Sequence, residues 1–405
     1  MKITLLHYAA PPVVGGVESV IGHHARLMAD DGRSVAILAG RGQQADPRVP
    51  FLNLPEADSR HPEVLAVKTD LDLGRVTPRF ETLVSSLLAA LGRLLEGVDM
   101  VVAHNIGSMN KNLALTAALR RFSEQPNSPR LVLWHHDLAW TTPRYRDELY
   151  GGYPWDLLRA AWPGAVQVTI SEARRRELSG LLRIPPEHIQ VIPNGVDVAQ
   201  FLKLEPTSLS LLDRLDLLSA NPLLLLPVRI TERKNIELAI RTLAVLRSQF
   251  PAARLVVTGP LGAHNPANLD YFRQLTALRA GLEMQDGVVF LAELSDESLP
   301  DAVIADLYRL ADALFLPSRE EGFGIPLLEA GLAGLPVFCA DIPPLRDLGG
   351  TFATYFAPDA NPYAIAGLIR DTLARDRSFG LRQLVKREFT WSHIYADRIR
   401  PLLDA

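Results

Sequence analysis

Two glutamates with seven residues between them, Glu321 and Glu329, are the side chains whose type and spacing most suggest chemistry. They lie in Ser318-Arg319-Glu320-Glu321-Gly322-Phe323-Gly324-Ile325-Pro326-Leu327-Leu328-Glu329. The apolar run Ala313-Leu314-Phe315-Leu316-Pro317 just before is short and tightly bounded, which predicts a buried strand. The carboxylates then sit at its C-terminal end. Gly322 and Gly324 flank Phe323 and free the backbone to approach a ligand, while Pro326 suits the first residue of a helix. Unpaired N–H groups at such a helix start, helped by the helix dipole, favour an anion such as a diphosphate. Neither glutamate should pair with that anion. Both are acceptors suited to hydroxyls, which a sugar on one side and a ribose on the other would offer.

Other polar residues fall at predicted strand ends, where doubly wound sheets bind their ligands. They are His7 with the loop Val14-Gly15-Gly16-Val17-Glu18, His104-Asn105, His135-His136-Asp137, Ser171-Glu172, Arg229, Gly259 and Glu320-Glu321. Arg229 and Lys234 supply fixed positive charge where a diphosphate would depart, since no metal motif accounts for neutralising it; Arg233 is the rival to Lys234. Gly15-Gly16 either lets backbone N–H groups approach a diphosphate or acceptor, or is a plain turn. It lacks the Gly-x-Gly-x-x-Gly spacing, and the second strand ends in Gly40 rather than an acid, which argues against an NAD enzyme. Adjacent strand residues point to opposite faces, so only one of His135 and His136 should reach a cleft. Asp137 orients a histidine, takes an acceptor hydroxyl or caps a helix. Trp140, Tyr145, Tyr150, Tyr153 and Trp155 either stack on an acceptor or pack. Asp70-Leu71-Asp72 has an Asp-x-Asp spacing but no clear strand end before it. Arg174-Arg175-Arg176 is either a solvated helix face or an attraction to anionic lipid heads.

Glu321 to Glu329 with Gly-Phe-Gly between them resembles the acidic motif of the retaining GT-B glycosyltransferases of family 4. Pro193-Asn194-Gly195-Val196-Asp197 resembles that family's crossing between domains, and Trp391-Ser392-His393-Ile394-Tyr395 its last helix. The resemblance implies an α/β GT-B fold of two Rossmann-like doubly wound domains facing across a cleft. An acceptor-binding domain would span 1–197 and a nucleotide-sugar-binding domain 198–388, with a C-terminal helix, 389–405, crossing back to the first. It implies retaining transfer of a hexose, mannose or glucose, from a nucleotide diphosphate sugar to a saccharide, lipid-linked or small-molecule acceptor. Neither a metal nor any other cofactor is expected; the nucleotide sugar is the co-substrate.

Glu321, Arg229, Lys234 and His136 form the expected catalytic set, His136 matching the family histidine that contacts the transferred sugar. Gly15, Gly16, Gly259, Phe323, Gly324, Ile325 and Glu329 form the donor-binding set, with Glu329 on the ribose. Asn105, Asp137 and Trp140 face the acceptor. The base is expected on the loop after Phe290-Leu291. Asn235 departs from the family pattern, which more often has glycine after the lysine. A phosphorylase or sugar-nucleotide epimerase on the same architecture, and a non-catalytic sugar-nucleotide-binding subunit, are the competing functions.

The bulk properties agree with this reading. A length of 405 residues suggests two or three domains, and 48% hydrophobic with 22% charged residues is a globular composition. A net charge of −4 argues against nucleic acid. The single cysteine, Cys339, excludes an internal disulfide and reads as a small buried hydrophobe. No run approaches the length of a spanning helix. A cytoplasmic protein, in peripheral contact with the inner face of the membrane if the acceptor is lipid-borne, is expected. Short apolar runs alternate with helical patterns throughout, which predicts parallel sheets built from strand-helix-strand units.

Overall fold

The computed structural model describes residues 1–260, 266–294 and 299–405. The chain divides into two compact units, Met1–Gly195 with Trp391–Ala405, and Val196–Thr390. Among the described residues no helix is long and apolar enough to cross a membrane.

The first unit is built on strands β1 (Lys2–His7), β2 (Ser34–Ala39), β3 (Phe51–Asn53), β4 (Met100–His104), β5 (Arg130–His135), β6 (Val166–Thr169) and β7 (Ile189–Val191). They form one parallel sheet in the order β3-β2-β1-β4-β5-β6-β7. Helices cover both faces, so central strands such as Ile3 to His7 and Met100 to His104 are buried throughout, as sheets buried on both sides require. The chain order reverses between β1 and β4, a topological switch point, where such sheets bind ligands beyond their strand ends.

Residues Trp391–Ala405 pack onto this first sheet. Ile394, Tyr395, Ile399, Leu402 and Leu403 join the apolar cluster of Ile3, Leu5, Ile21, Met28, Val35 and Met100. Asp31 fixes the segment from outside, accepting the Tyr395 hydroxyl at 2.9 Å and pairing with Arg400 at 2.8 Å.

In the second unit, strands β8 (Leu223–Leu226), β9 (Arg254–Val257), β10 (Val288–Phe290), β11 (Ala313–Leu316), β12 (Val337–Ala340) and β13 (Thr354–Phe356) form a parallel sheet among the described residues. Its order is β10-β9-β8-β11-β12-β13, with the same reversal between β8 and β11. The Leu-rich β8 and the Ala313–Leu316 strand are fully buried. Cys339 lies on β12, also buried. The two switch points therefore fall where the sequence concentrates its polar residues.

Candidate functional site

In the second unit, β11 ends at Leu316 and the chain loops through Ser318 to Gly324 before the helix Ile325–Leu332. Gly324 is that helix's N-cap at φ +107°, a conformation that disfavours any side chain, and a Cβ there would also lie 2.6 Å from Leu345 Cδ2. Pro326 is the second residue of the helix rather than the first. Phe323 and Ile325 are exposed beside the free helix start.

Glu321 is held at one oxygen. Its Oε1 accepts Lys234 Nζ at 2.5 Å and Ser318 Oγ at 2.7 Å. Oε2 makes no hydrogen bond with the described residues. The two charged side chains are 9% and 8% exposed. Lys234, expected as fixed positive charge for a departing diphosphate, carries a counter-ion in Glu321. The buried pocket at the loop needs one, because a lone charge there would lose its hydration without replacement.

Lys234 lies in the short turn Glu232–Lys234 ahead of the helix Ile236–Leu246, not at the start of that helix. It points inward while Arg233 stays exposed and donates to the Glu320 carbonyl at 3.4 Å, which separates the two rivals. Asn235 follows at φ +55°. This left-handed position suits glycine or asparagine and explains the departure from the family pattern. The loops are laced further by Arg319, whose N–H donates to the Arg233 carbonyl at 2.8 Å and whose Nη2 pairs with Glu237 at 2.7 Å.

Arg229 follows β8, is exposed, and makes no hydrogen bond or ion pair with the described residues. Gly259, after β9, packs its backbone on this turn, and a Cβ there would collide with the Val228 carbonyl and crowd Arg229 Cα. Its glycine is thus explained by packing.

Glu329, one turn into the helix, is likewise held at one oxygen: Oε2 accepts the Tyr308 hydroxyl at 2.6 Å. Both residues line a cavity of about 490 Å³. The loop after Phe290-Leu291, expected at the base, lies partly outside the described residues.

The first unit carries a separate cluster at the ends of β1, β4 and β5. His136 is buried, and its Nε2 lies 3.1 Å from His104 Nδ1. Burial and the neighbouring imidazoles hold His136 down to about 3, so it is neutral at physiological pH. His135 turns the other way and pairs with Gln167 at 2.9 Å, as strand alternation requires. Burial holds it down to about 4. Asn105, at φ +59°, accepts the His136 and Asp137 backbone N–H groups on its Oδ1 at 2.8 and 3.2 Å. It shapes the loop that presents His136.

Asp137 is half-exposed and 3.9 Å from Arg174. Trp140 is committed to packing: its N–H donates to the Trp155 carbonyl at 3.2 Å, and Arg159 covers its ring at 4.2 Å. Gly15 is the N-cap of the helix Gly16–Asp30 in extended conformation. The Glu18 carboxylate folds back over Gly15, whereas Gly16 faces open space. His7 bonds the His104 carbonyl at 2.8 Å. His24 is fully buried against Trp134, His104 and Trp391.

Asp70 and Asp72 end the helix Pro62–Leu71, where Asp72 pairs with Lys68 at 2.6 Å and Asp70 accepts the Thr77 hydroxyl at 3.1 Å. Arg174 and Arg175 are paired along their own helix with Glu177 and Glu172, at 2.7 and 2.6 Å. That leaves Arg176 as the exposed cation of the triplet not so paired. Ser318, Tyr308, Arg319 and His24 are the residues of these clusters to which the sequence alone assigns no role in a site. Of them only Ser318 carries a local signal, its place three residues before Glu321.

Two family models match the chain, Glycosyltransferase Family 4 over residues 14–200 and Glycosyl transferases group 1 over residues 214–384. A D-inositol 3-phosphate glycosyltransferase of Kineococcus radiotolerans is 32% identical over 55% of this chain and 53% of its own. A mannosylglucosylglycerate synthase of Petrotoga mobilis is 27% identical over 61% and 60%. The chain thus spans little more than half the length of these relatives. An MMP alpha-(1->4)-mannosyltransferase of Mycolicibacterium hassiacum is 25% identical over 98% of this chain and 97% of its own. Both doubly wound units are matched, each by the model for its own half, and the chain belongs to the group 1, family 4 glycosyltransferases.

Proposed function

We propose that this chain is a hexosyltransferase. It moves mannose or glucose from a nucleoside diphosphate sugar to a hydroxyl of a saccharide, lipid-linked or small-molecule acceptor, with retention of configuration. The second unit holds the donor and the first the acceptor. One observation carries this reading: Arg229 and the Lys234–Glu321–Ser318 constellation follow adjacent strands at a switch point, with Glu329 one turn further on. Relatives named for mannosyl transfer and for glycosylation of an inositol phosphate support it.

In this mechanism the bond between the sugar C1 and the β-phosphate oxygen breaks, and its electron pair stays on the phosphate. Arg229, Lys234 and the Gly324 and Ile325 amides stabilise that charge as it develops. The acceptor oxygen bonds C1 from the same face and passes its proton to the departing phosphate. Glu321 Oε1 already accepts two hydrogen bonds, which lowers its nucleophilicity. Glu321 therefore serves as an acceptor for sugar hydroxyls through Oε2 rather than as an attacking group. Neutral His136 contacts the transferred sugar as a hydrogen-bonding group, not as an acid.

A panel of nucleotide sugars, with and without acceptor, tests the reading by nucleoside diphosphate release. Acceptor-dependent release that survives a chelator is expected. Sugar phosphate formed only with orthophosphate would indicate a phosphorylase, and product without acceptor an epimerase. Binding without release under any acceptor would indicate a non-catalytic subunit.

A further inference from the structure

Tyr308 stands on the helix Asp301–Leu310 and is 4% exposed. Its hydroxyl donates to Glu329 Oε2 at 2.6 Å and lies 3.4 Å from the Pro326 carbonyl. Burial and the adjacent carboxylate push that hydroxyl up, so it stays protonated and has a single hydrogen to give. Glu329 Oε1, by contrast, makes no hydrogen bond with the described residues. The carboxylate lines the cavity of about 490 Å³ together with Asp301, Ile304, Arg309 and Leu332.

A glutamate one turn inside a helix start has several rotamers open to it, and ordering it on ligand binding reduces affinity. Here one oxygen is fixed before any ligand arrives. The remaining oxygen keeps its lone pairs for two donors, the number that a vicinal diol presents.

We propose that Tyr308 is a positioning residue that clamps Glu329 Oε2 and leaves Oε1 to accept the ribose diol. The pair thereby makes the site selective for ribonucleotides over 2′-deoxyribonucleotides. This rests on the reading of Glu329 as the ribose acceptor. A site that has committed its polar group to a hydroxyl rejects the analogue lacking it, because the group is then left unpaired.

The test compares UDP, GDP and ADP with their 2′-deoxy counterparts by calorimetric titration, using whichever base binds the full chain. The unaltered protein is expected to favour the ribo form by about tenfold or more. Tyr308→Phe removes only the hydroxyl. It is expected to weaken ribonucleotide binding several-fold, leave the deoxy form nearly unchanged, and raise the donor KM with little effect on kcat. The ratio within one preparation is insensitive to the fraction folded. Equal weakening of both nucleotides, or an undiminished ratio in Tyr308→Phe, would overturn the positioning role. Glu329→Gln separates this from the underlying reading. If it collapses the ratio while Tyr308→Phe does not, Glu329 still binds the ribose and Tyr308 is irrelevant. If Glu329→Gln leaves the ratio intact, the ribose assignment itself fails.

Discussion

Lys234 Nζ lies 2.5 Å from Glu321 Oε1, with both side chains shielded to nine-tenths or beyond. The pair joins the turns that follow two adjacent strands, β8 and β11. Removing one partner of a buried pair strands the other charge, at a cost of about 3–5 kcal/mol. Lys234→Ala is therefore expected to lower the unfolding free energy by roughly 3 kcal/mol. The double variant Lys234→Met with Glu321→Gln should regain most of this without regaining turnover. Urea denaturation of the two proteins checks it, and a double variant no more stable than the single one would contradict the charge argument.

The glycines separate into packed and open positions. Gly259→Ala must push a methyl into the Val228 carbonyl, whereas a methyl at Gly16, at the start of its helix, would meet nothing within 4 Å. Gly259→Ala is expected to destabilise by about 1–3 kcal/mol, in the range of other backbone strain. Gly16→Ala should leave stability unchanged or raise it by up to about 1 kcal/mol, since alanine is the better helix residue. Thermal midpoints of the two variants measure the contrast. Lost activity in a fully stable Gly16→Ala would then report close approach of a ligand to that backbone.

The histidine cluster makes the protein sensitive to acid. Neither ring nitrogen of His24 has a hydrogen-bond partner among the described residues. Burial holds His24 to about 3, as it holds His136, both from an ordinary value of 6.5. Between those values the unfolded chain binds protons that the folded chain does not. Stability is therefore fully present above pH 6.5 and is lost as pH falls towards 3. Each such histidine contributes a slope of up to about 1.4 kcal/mol per pH unit. Melts at pH 7.5, 6 and 5 should show a steep decline, shallower in His24→Phe. A flat profile would contradict neutral burial of these rings.

Much of this was legible in the sequence because the sheets are buried on both faces. Ser34–Ala39, Ala313–Leu316 and Val337–Ala340 stand where their apolar runs predict, and the other central strands differ only at their ends. The strands that escaped, β3, β7 and β13, are three-residue edge strands with too little apolar sequence to register. The helix Glu172–Leu182 was legible only through its arginine run, as a solvated helix face, because it buries just Leu178 and Leu182. Strand-end position also singled out Glu321, Arg229, Lys234 and His136.

What the sequence could not supply were partners distant along the chain. Tyr308 meets Glu329 across 21 residues and Lys234 meets Glu321 across 87. Helical periodicity says nothing of where the Tyr308 hydroxyl points. The partners of Trp140 were hidden for the same reason: Arg159 covers its ring and the Trp155 carbonyl accepts its N–H.

The most direct test of the Lys234–Glu321 assignment is the rate of nucleoside diphosphate release by Lys234→Ala at saturating donor and acceptor. It should be measured where circular dichroism shows the variant folded. Loss of one group that stabilises developing charge corresponds to about 2.7–4 kcal/mol, so a fall of at least about a hundredfold is expected. Turnover close to that of the unaltered protein would contradict the role given to the lysine, and with it the placement of the departing phosphate beside Glu321.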